Sequence, residues 1–146
     1  MIILAAILIA AFQTVKANDE KSIPYQVKEA FENLYPSLTD VTWRSVSGGY
    51  VGSFDLNNEK LNVYFDADAE LIGTSKVISA DQLPCAAKSA IQSEFEGCEI
   101  SLALVFTSAA QNTSYIVRLE NDKRIFYVDV DADGNTNIKK SVKKVS

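Results

Sequence analysis

Three aspartates at alternate positions, followed by a glycine, are the residues of this chain whose spacing best suits metal chemistry. Asp129, Asp131 and Asp133, with Gly134, match the opening of an EF-hand loop, where carboxylates at positions 1, 3 and 5 bind calcium and glycine at position 6 allows a sharp turn. The loop also needs a glutamate at position 12, where this chain has Lys140. The preceding residues, "RIFYV", favour a strand over the required helix. A full EF-hand is therefore excluded, which leaves a turn between strands or an incomplete calcium loop.

No other arrangement of side chains indicates an enzyme. The chain has no histidine, which removes Ser-His-Asp and Cys-His nucleophiles and histidine metal sites in their usual forms. Its 6 glycines are scattered and form no phosphate-binding loop. A Ser-Lys dyad or a carboxylate pair is formally available, but neither shows a distinctive spacing. We therefore predict a non-enzymatic protein with no cofactor, and calcium at the acidic loop is the alternative.

The two cysteines are predicted to stay apart. Cys85 and Cys98 would invite a disulfide in an oxidising compartment. A helix running through both would separate their α-carbons by about 19 Å, whereas a disulfide needs less than about 7 Å. We expect two separate, small, buried hydrophobic residues.

The N-terminus has the pattern of a secretory signal. Residues 1–12 form an uninterrupted apolar run, too short for a membrane span of about 20 residues. Val15 and Ala17 match the small residues that precede a signal-peptidase site. We predict that residues 1–17 are a signal peptide cleaved near Ala17, although no lysine or arginine precedes the run; a start codon upstream would explain that departure. The alternative is a buried apolar strand or helix.

Location and charge together limit the partners. The mature protein has no predicted membrane span and is expected in the periplasm or outside the cell. The chain carries 14 basic and 19 acidic residues, a net charge of −5. Such a surface repels nucleic acid and anionic lipid headgroups. Neither is an expected partner.

Two segments predict helices and share a pattern. "IPYQVKEAF" (23–31) and "LPCAAKSAI" (83–91) have proline, lysine and alanine at identical spacing. Both place apolar residues at the intervals of one helix face. The predicted N-caps are Ser22 and Asp81.

Two longer segments predict hairpins and also align. "YVGSFDLNNEKLNVYFDAD" (50–68) matches "YIVRLENDKRIFYVDVDAD" (115–133), with apolar residues at alternate positions. Short connections indicate antiparallel meanders. We predict an α+β fold with two copies of a helix and four strands, over residues 18–80 and 81–146, in a combined sheet with helices on one face and solvent on the other. The predicted strands are 40–47, 49–56, 60–66, 70–78, 99–107, 113–120, 123–130 and 135–145.

The alignment gives the acidic loop an equivalent. "DADAE" and "DADGN" both follow the third strand of their copy. Aspartates favour such turns because their carboxylates accept hydrogen bonds from nearby backbone amides. A hairpin turn explains both copies, so the turn is favoured over calcium binding at Asp129, Asp131 and Asp133.

The paired helices and hairpins resemble those of the PepSY-like, β-lactamase-inhibitor-like (BLIP-like) family of small secreted proteins from Bacteroidetes. The closest likeness is "IPYQVKEAFENLYPSLTDVTW", with Tyr35, Pro36 and Trp43, and the resemblance extends over residues 20–146. It implies tandem α-β4 units with an open sheet surface opposite the helices. The namesake inhibitor binds an enzyme through such a surface, whereas most relatives have no assigned target. The second helix departs from the pattern because no proline follows Phe95.

Tyrosine and arginine residues are the candidates for partner binding. Tyr64 and Tyr127 fall out of phase with the inward residues of their strands, and the same alternation places Arg44 and Arg118 near them. These residue types contribute much of the energy at protein interfaces. The alternative is that each is a cross-strand pairing residue on a solvated face. Trp43, by contrast, is predicted to lie in the core.

Four lysines mark the C-terminal strand: Lys139, Lys140, Lys143 and Lys144. We predict that they protect a terminal edge strand from pairing with another chain. A docking patch is the alternative.

Together these patterns predict a secreted or periplasmic protein-binding module, with enzyme inhibition as one form of that function, acting through the helix-free sheet face. The alternatives are a small calcium-binding protein, a structural or folding-assistance component of the envelope, and an enzyme of unrecognised chemistry. No residue pattern identifies the partner.

Overall fold

The computed structural model describes residues 22–145, and the predicted signal sequence lies outside them. The described part contains two α-helices, eight β-strands and a short 3-10 turn at Ala80–Gln82. In chain order, the elements are α1 (Tyr25–Leu34), β1 (Thr42–Val46), β2 (Gly49–Leu56), β3 (Glu59–Asp66), β4 (Leu71–Ile78), α2 (Cys85–Glu94), β5 (Glu99–Ser108), β6 (Thr113–Glu120), β7 (Arg124–Val130) and β8 (Thr136–Lys143).

The strands form one antiparallel sheet in which each strand lies beside the next along the chain. The α+β class and the antiparallel arrangement predicted from the sequence are confirmed. Every observed strand boundary lies within two residues of the predicted one. Within β1–β4 and within β5–β8 the prediction succeeded because connections this short permit antiparallel neighbours only, whereas a parallel neighbour needs a long crossover.

The chain divides into two compact units, the first ending at Ser75 and the second beginning at Lys76. In the first unit, α1 packs an aromatic core against the sheet. The Phe31 ring meets the Trp43 and Phe54 rings edge-on, with 5.4 Å between ring centroids in each pair. Trp43 is 4% exposed, which confirms its predicted place in the core.

The second unit has a core of smaller side chains. Ala87 and Ile91 of α2 face buried aliphatic residues of the sheet, among them Val117, Leu119 and Val128. Each of these five residues is at most 3% exposed. Residues four apart on α2 thus pack against alternate residues of a strand. The helical and strand spacings of apolar residues in the sequence predict this contact.

Both helices begin one residue after a proline, so the predicted N-caps, Ser22 and Asp81, are wrong. The N-cap residues are Pro24 and Pro84, which have ψ of 148° and accept the first helical hydrogen bonds through their carbonyl oxygens. Proline fits this position because it has no N–H that would be left without a partner. Asp81 lies instead in the 3-10 turn.

The two cysteines form no disulfide with each other, as predicted, but their predicted burial is only half right. Cys85 is exposed at the start of α2, while Cys98 is partly buried against the second core. The helix ends at Glu94, so the two thiols are not on one helix as the sequence suggested. Cys85 faces solvent because α2 turns Ala87 and Ile91 inward instead.

Candidate functional site

In each unit, one sheet face carries no described helix, and we call it the helix-free face of that unit. In the first unit, Trp43 and Val63 belong to the core under α1. Alternation along the strands therefore directs Arg44 and Tyr64 to the opposite face. Both lie beside Val51, which pairs with Arg44 on one side and with Tyr64 on the other. The fold thus brings the two predicted residues of this unit onto the same face.

A chain of polar side chains crosses this face from β2 to β4. The Ser53 hydroxyl donates to Asn62 Oδ1 at 2.5 Å, and Asn62 Nδ2 donates to Ser75 Oγ at 3.5 Å. The Tyr64 hydroxyl and Ser75 Oγ share a hydrogen bond of 2.6 Å. Buried polar groups are costly unless they are paired, so these bonds hold the tyrosine ring and its neighbours in one arrangement.

Burial also sets the electrostatics of this face. Burial raises the pKa of Tyr64 to about 12, against the lowering effects of the Ser75 hydrogen bond and the nearby Arg44 charge. Burial likewise lowers the pKa of Arg44, and Tyr64 opposes that shift. At neutral pH the site therefore holds a neutral phenol close to a guanidinium cation.

The prediction of a solvated helix-free face is wrong for these residues. Tyr64 is 0% exposed and Arg44 is 6% exposed. The strands of the first unit carry apolar or hydrogen-bonded side chains on both faces of the sheet, including Val51 at 0% exposure. Neither face is therefore purely solvated. Tyr64 and Arg44 remain candidates as supporting residues, not as groups already at the surface.

The second unit presents its candidate pair differently. Arg118 and Tyr127 lie directly opposite each other on β6 and β7, and both are half-buried. The Arg118 guanidinium lies 3.6 Å from Glu120, while its Nε is buried without a hydrogen-bond partner. Ile116, on the same face as Arg118, is 2% exposed. An aromatic ring and a cation therefore meet on the helix-free face of this unit, beside a buried apolar side chain.

The acidic loop is a hairpin turn held by its own carboxylate. Asp131 Oδ1 accepts the backbone N–H groups of Asp133 and Asn135 at 2.9 Å each, and Oδ2 accepts the Asn135 side-chain amide at 2.9 Å. The Asn135 amide is the main cause of a lowered pKa of Asp131. Burial raises the pKa of Asp129, which sits in β7 and not in the turn. The turn interpretation is confirmed.

The first unit repeats this geometry. Asp66 Oδ1 accepts the backbone N–H groups of Asp68 at 2.8 Å and of Glu70 at 3.0 Å. Ala69 takes the left-handed conformation, with φ of 64°, where the second turn has Gly134 with φ of 90°. Within residues 22–145, no group of three or more His, Cys, Asp or Glu side chains is arranged to hold a metal. Calcium binding at Asp129, Asp131 and Asp133 stays a prediction that the geometry does not favour.

Sequence reasoning missed the polar chain of the first unit. Ser53 and Asn62 share the strand phase of Tyr64, and their polarity could have marked them. Ser75 could not have been found in this way. It lies in phase with Leu71, which packs against the core, yet its hydroxyl contacts Tyr64 on the other face.

Comparison with solved structures identifies the fold. A DUF2874 family protein from Bacteroides uniformis superposes with a TM-score of 0.69 at 19% identity, covering 83% of this chain and 89% of that one. A BLIP-like protein from Bacteroides fragilis has a TM-score of 0.67 at 21% identity, covering 89% and 95%. A structure described as "putative periplasmic proteins", from Bacteroides eggerthii, has a TM-score of 0.68 at 18% identity, covering 82% and 88%.

The chain has the BLIP-like fold of these Bacteroides proteins. The resemblance inferred from the sequence is thus confirmed at the level of fold. The chain matches no protein-family model and no curated protein. Within residues 22–145, each α-helix is 10 residues long, and neither has the length and apolar character of a membrane span.

Proposed function

We propose that this protein is a non-enzymatic protein-binding module of the periplasm or extracellular space, and that it binds through a helix-free sheet face. The observation that carries the proposal is the Arg118–Tyr127 pair. The two side chains lie directly across from each other, are half-buried, and share their face with buried apolar residues. Arginine and aromatic residues set in apolar surroundings are typical of the centre of protein interfaces.

The two candidate pairs have different roles in this proposal. Arg118 and Tyr127 contact the partner, because they retain exposed surface. Tyr64 and Arg44 are buried and act as positioning residues, since the hydrogen bond shared by Tyr64 and Ser75 keeps the face of the first unit rigid. A rigid surface loses less conformational entropy when it binds.

The solved structures support an inhibitor-like mode and a periplasmic location. The B. fragilis protein is described as BLIP-like and the B. eggerthii structure as "putative periplasmic proteins". We extend both properties to this chain as part of the proposal. The signal peptide, with cleavage after Ala17, belongs to it as well, and N-terminal sequencing of protein recovered from the periplasm tests that site.

We also propose that the two units are copies of one ancestral α-β4 unit. The same order of one helix and four strands occurs in each, and their acidic turns share the hydrogen bonds of Asp66 and Asp131.

The test is affinity capture followed by a quantitative assay. Residues 18–146 are immobilised and exposed to envelope and secreted extract, and the retained protein is purified and titrated against variants. Tyr127→Ala is expected to weaken binding by about tenfold or more, as at an interface hot spot. Tyr25→Ala is the matched control, because Tyr25 is 73% exposed on α1.

Equal binding by Tyr127→Ala and the wild type would contradict the proposed face. If the purified partner is an enzyme, its activity with and without this protein decides whether the binding is inhibitory.

A further inference from the structure

The last strand of the sheet is both exposed and strongly basic. β8 ends the strand order, so only β7 lies beside it among the described strands. Residues 136–144 include four lysines and no acidic residue, although the chain as a whole has a net charge of −5. Three of the four, Lys139, Lys140 and Lys143, are exposed. The edge of the second unit is therefore positively charged, whereas the protein as a whole is negatively charged.

Two of these lysines carry charge that no acidic side chain of the described residues pairs with. Lys144 lies 3.9 Å from Glu120, and Lys139 interacts electrostatically with the carboxylate of Asp129. Lys140 and Lys143 form no ion pair with any residue in the described range. Across the ladder, Lys143 faces Arg124. The edge thus carries positive charge that an acidic partner could pair with.

The backbone of β8 offers hydrogen bonds on its outer side. The Lys144 N–H donates inward to the Lys123 carbonyl oxygen at 2.8 Å. Because alternate residues of an antiparallel strand direct their backbone groups to opposite sides, the N–H and C=O groups of Lys143 and Ser141 point away from β7. An edge of this kind can accept another strand.

We propose that β8 binds an extended, acidic segment of a partner protein, which adds to the sheet as a further strand. Main-chain hydrogen bonds at Ser141 and Lys143 provide the affinity, and the lysines select acidic over neutral or basic segments. A second copy of this chain is a poor occupant, because β8 against β8 would place lysines beside lysines. The proposal rests on the edge of β8, although Lys140 lies across the ladder from Tyr127.

The test uses a fluorescein-labelled peptide of about ten residues with alternating glutamate and valine, a length typical of strand addition to a sheet edge. Its binding to the protein is followed by fluorescence anisotropy. The acidic peptide is expected to bind, and to bind more weakly as salt is raised. One control peptide has lysine in place of glutamate. A second keeps every glutamate but has proline in place of each valine, which removes every second N–H and holds φ near −65° instead of the strand value of about −140°.

Two protein variants test the edge itself. Ser141→Pro removes an outward N–H without removing a bond to β7, and Ser141→Ala controls for the loss of the hydrogen bond from Arg124 Nε to Ser141 Oγ. The double change Lys140→Glu and Lys143→Glu reverses the charge, with Lys60→Glu, exposed on β3, as its control. Ser141→Pro and the double variant are expected to weaken binding by about tenfold or more, and the controls to leave it unchanged.

Equal binding of the proline peptide and the original peptide would overturn strand addition, because it would show attraction of a polyanion without main-chain pairing. This comparison needs no change to the protein and so stands even if Ser141→Pro does not fold. Binding of the lysine peptide as tightly as the acidic one, or light scattering showing a dimer that Ser141→Pro dissociates, would overturn the choice of partner.

Discussion

Gly134 is expected to be the residue of the acidic turns that tolerates substitution least. It has φ of 90°, a conformation that side chains other than glycine rarely adopt, and a Cβ added there would lie 2.8 Å from the carbonyl oxygen of Ala86 in α2. Two costs therefore add in Gly134→Ala. The left-handed backbone costs about 1–2 kcal/mol, and the close contact requires the turn or the helix to move.

We expect Gly134→Ala to lower the free energy of unfolding by about 2–3 kcal/mol. The assay is urea or thermal unfolding followed by circular dichroism, and the melting temperature should fall by roughly 6–10 °C. The matched control is Ala69→Gly, at the equivalent place in the first unit, where φ is 64°. That change relieves backbone strain but removes a methyl group from the edge of the core, so its net effect should stay within about 1 kcal/mol of zero.

A third variant separates the two costs. Asparagine tolerates the left-handed conformation better than alanine but still has a Cβ. If Gly134→Asn is clearly more stable than Gly134→Ala, backbone conformation dominates; if both are equally unstable, the contact with Ala86 dominates. Wild-type stability in Gly134→Ala would refute the reasoning altogether.

Three further predictions concern other parts of the protein. The pKa of Tyr64 rises from 10.0 to about 12 on folding, so its contribution to stability is complete below pH 10 and is lost as pH rises towards 12. In urea unfolding at several pH values, Tyr64→Phe should flatten this decline in the free energy of unfolding. The same decline with pH in Tyr64→Phe and the wild type would contradict the raised pKa of Tyr64. Gly52→Ala should lower the free energy of unfolding by about 1–3 kcal/mol, since its Cβ would lie 3.1 Å from the Trp43 ring, and an unchanged urea midpoint would contradict this packing. Millimolar calcium should leave the melting temperature unchanged, because Asp131 already accepts three hydrogen bonds within its turn; a rise that Asp131→Asn abolishes would favour a calcium site instead.

The agreement between sequence and structure is best where one local interaction decides the outcome. Alternating apolar residues and short connections predict the strand boundaries and the antiparallel order. The tendency of aspartate carboxylates to accept hydrogen bonds from nearby backbone amides predicts both acidic turns. The predicted starts of the helices are less accurate. Serine and aspartate are common N-cap residues, but Pro24 and Pro84 occupy that position here. In both helices the proline carbonyl, not a side chain, makes the first hydrogen bonds.

The residues of the candidate site show the same difference between local and long-range causes. The sequence alone determined that Arg44, Tyr64, Arg118 and Tyr127 lie opposite the helices, because side-chain direction in a strand follows from counting residues. Only the tertiary structure decided that Tyr64 is buried and bonded to Ser75 while Tyr127 keeps exposed surface. Burial depends on what packs against a face from distant parts of the chain, and that information is not contained in the period of a single strand.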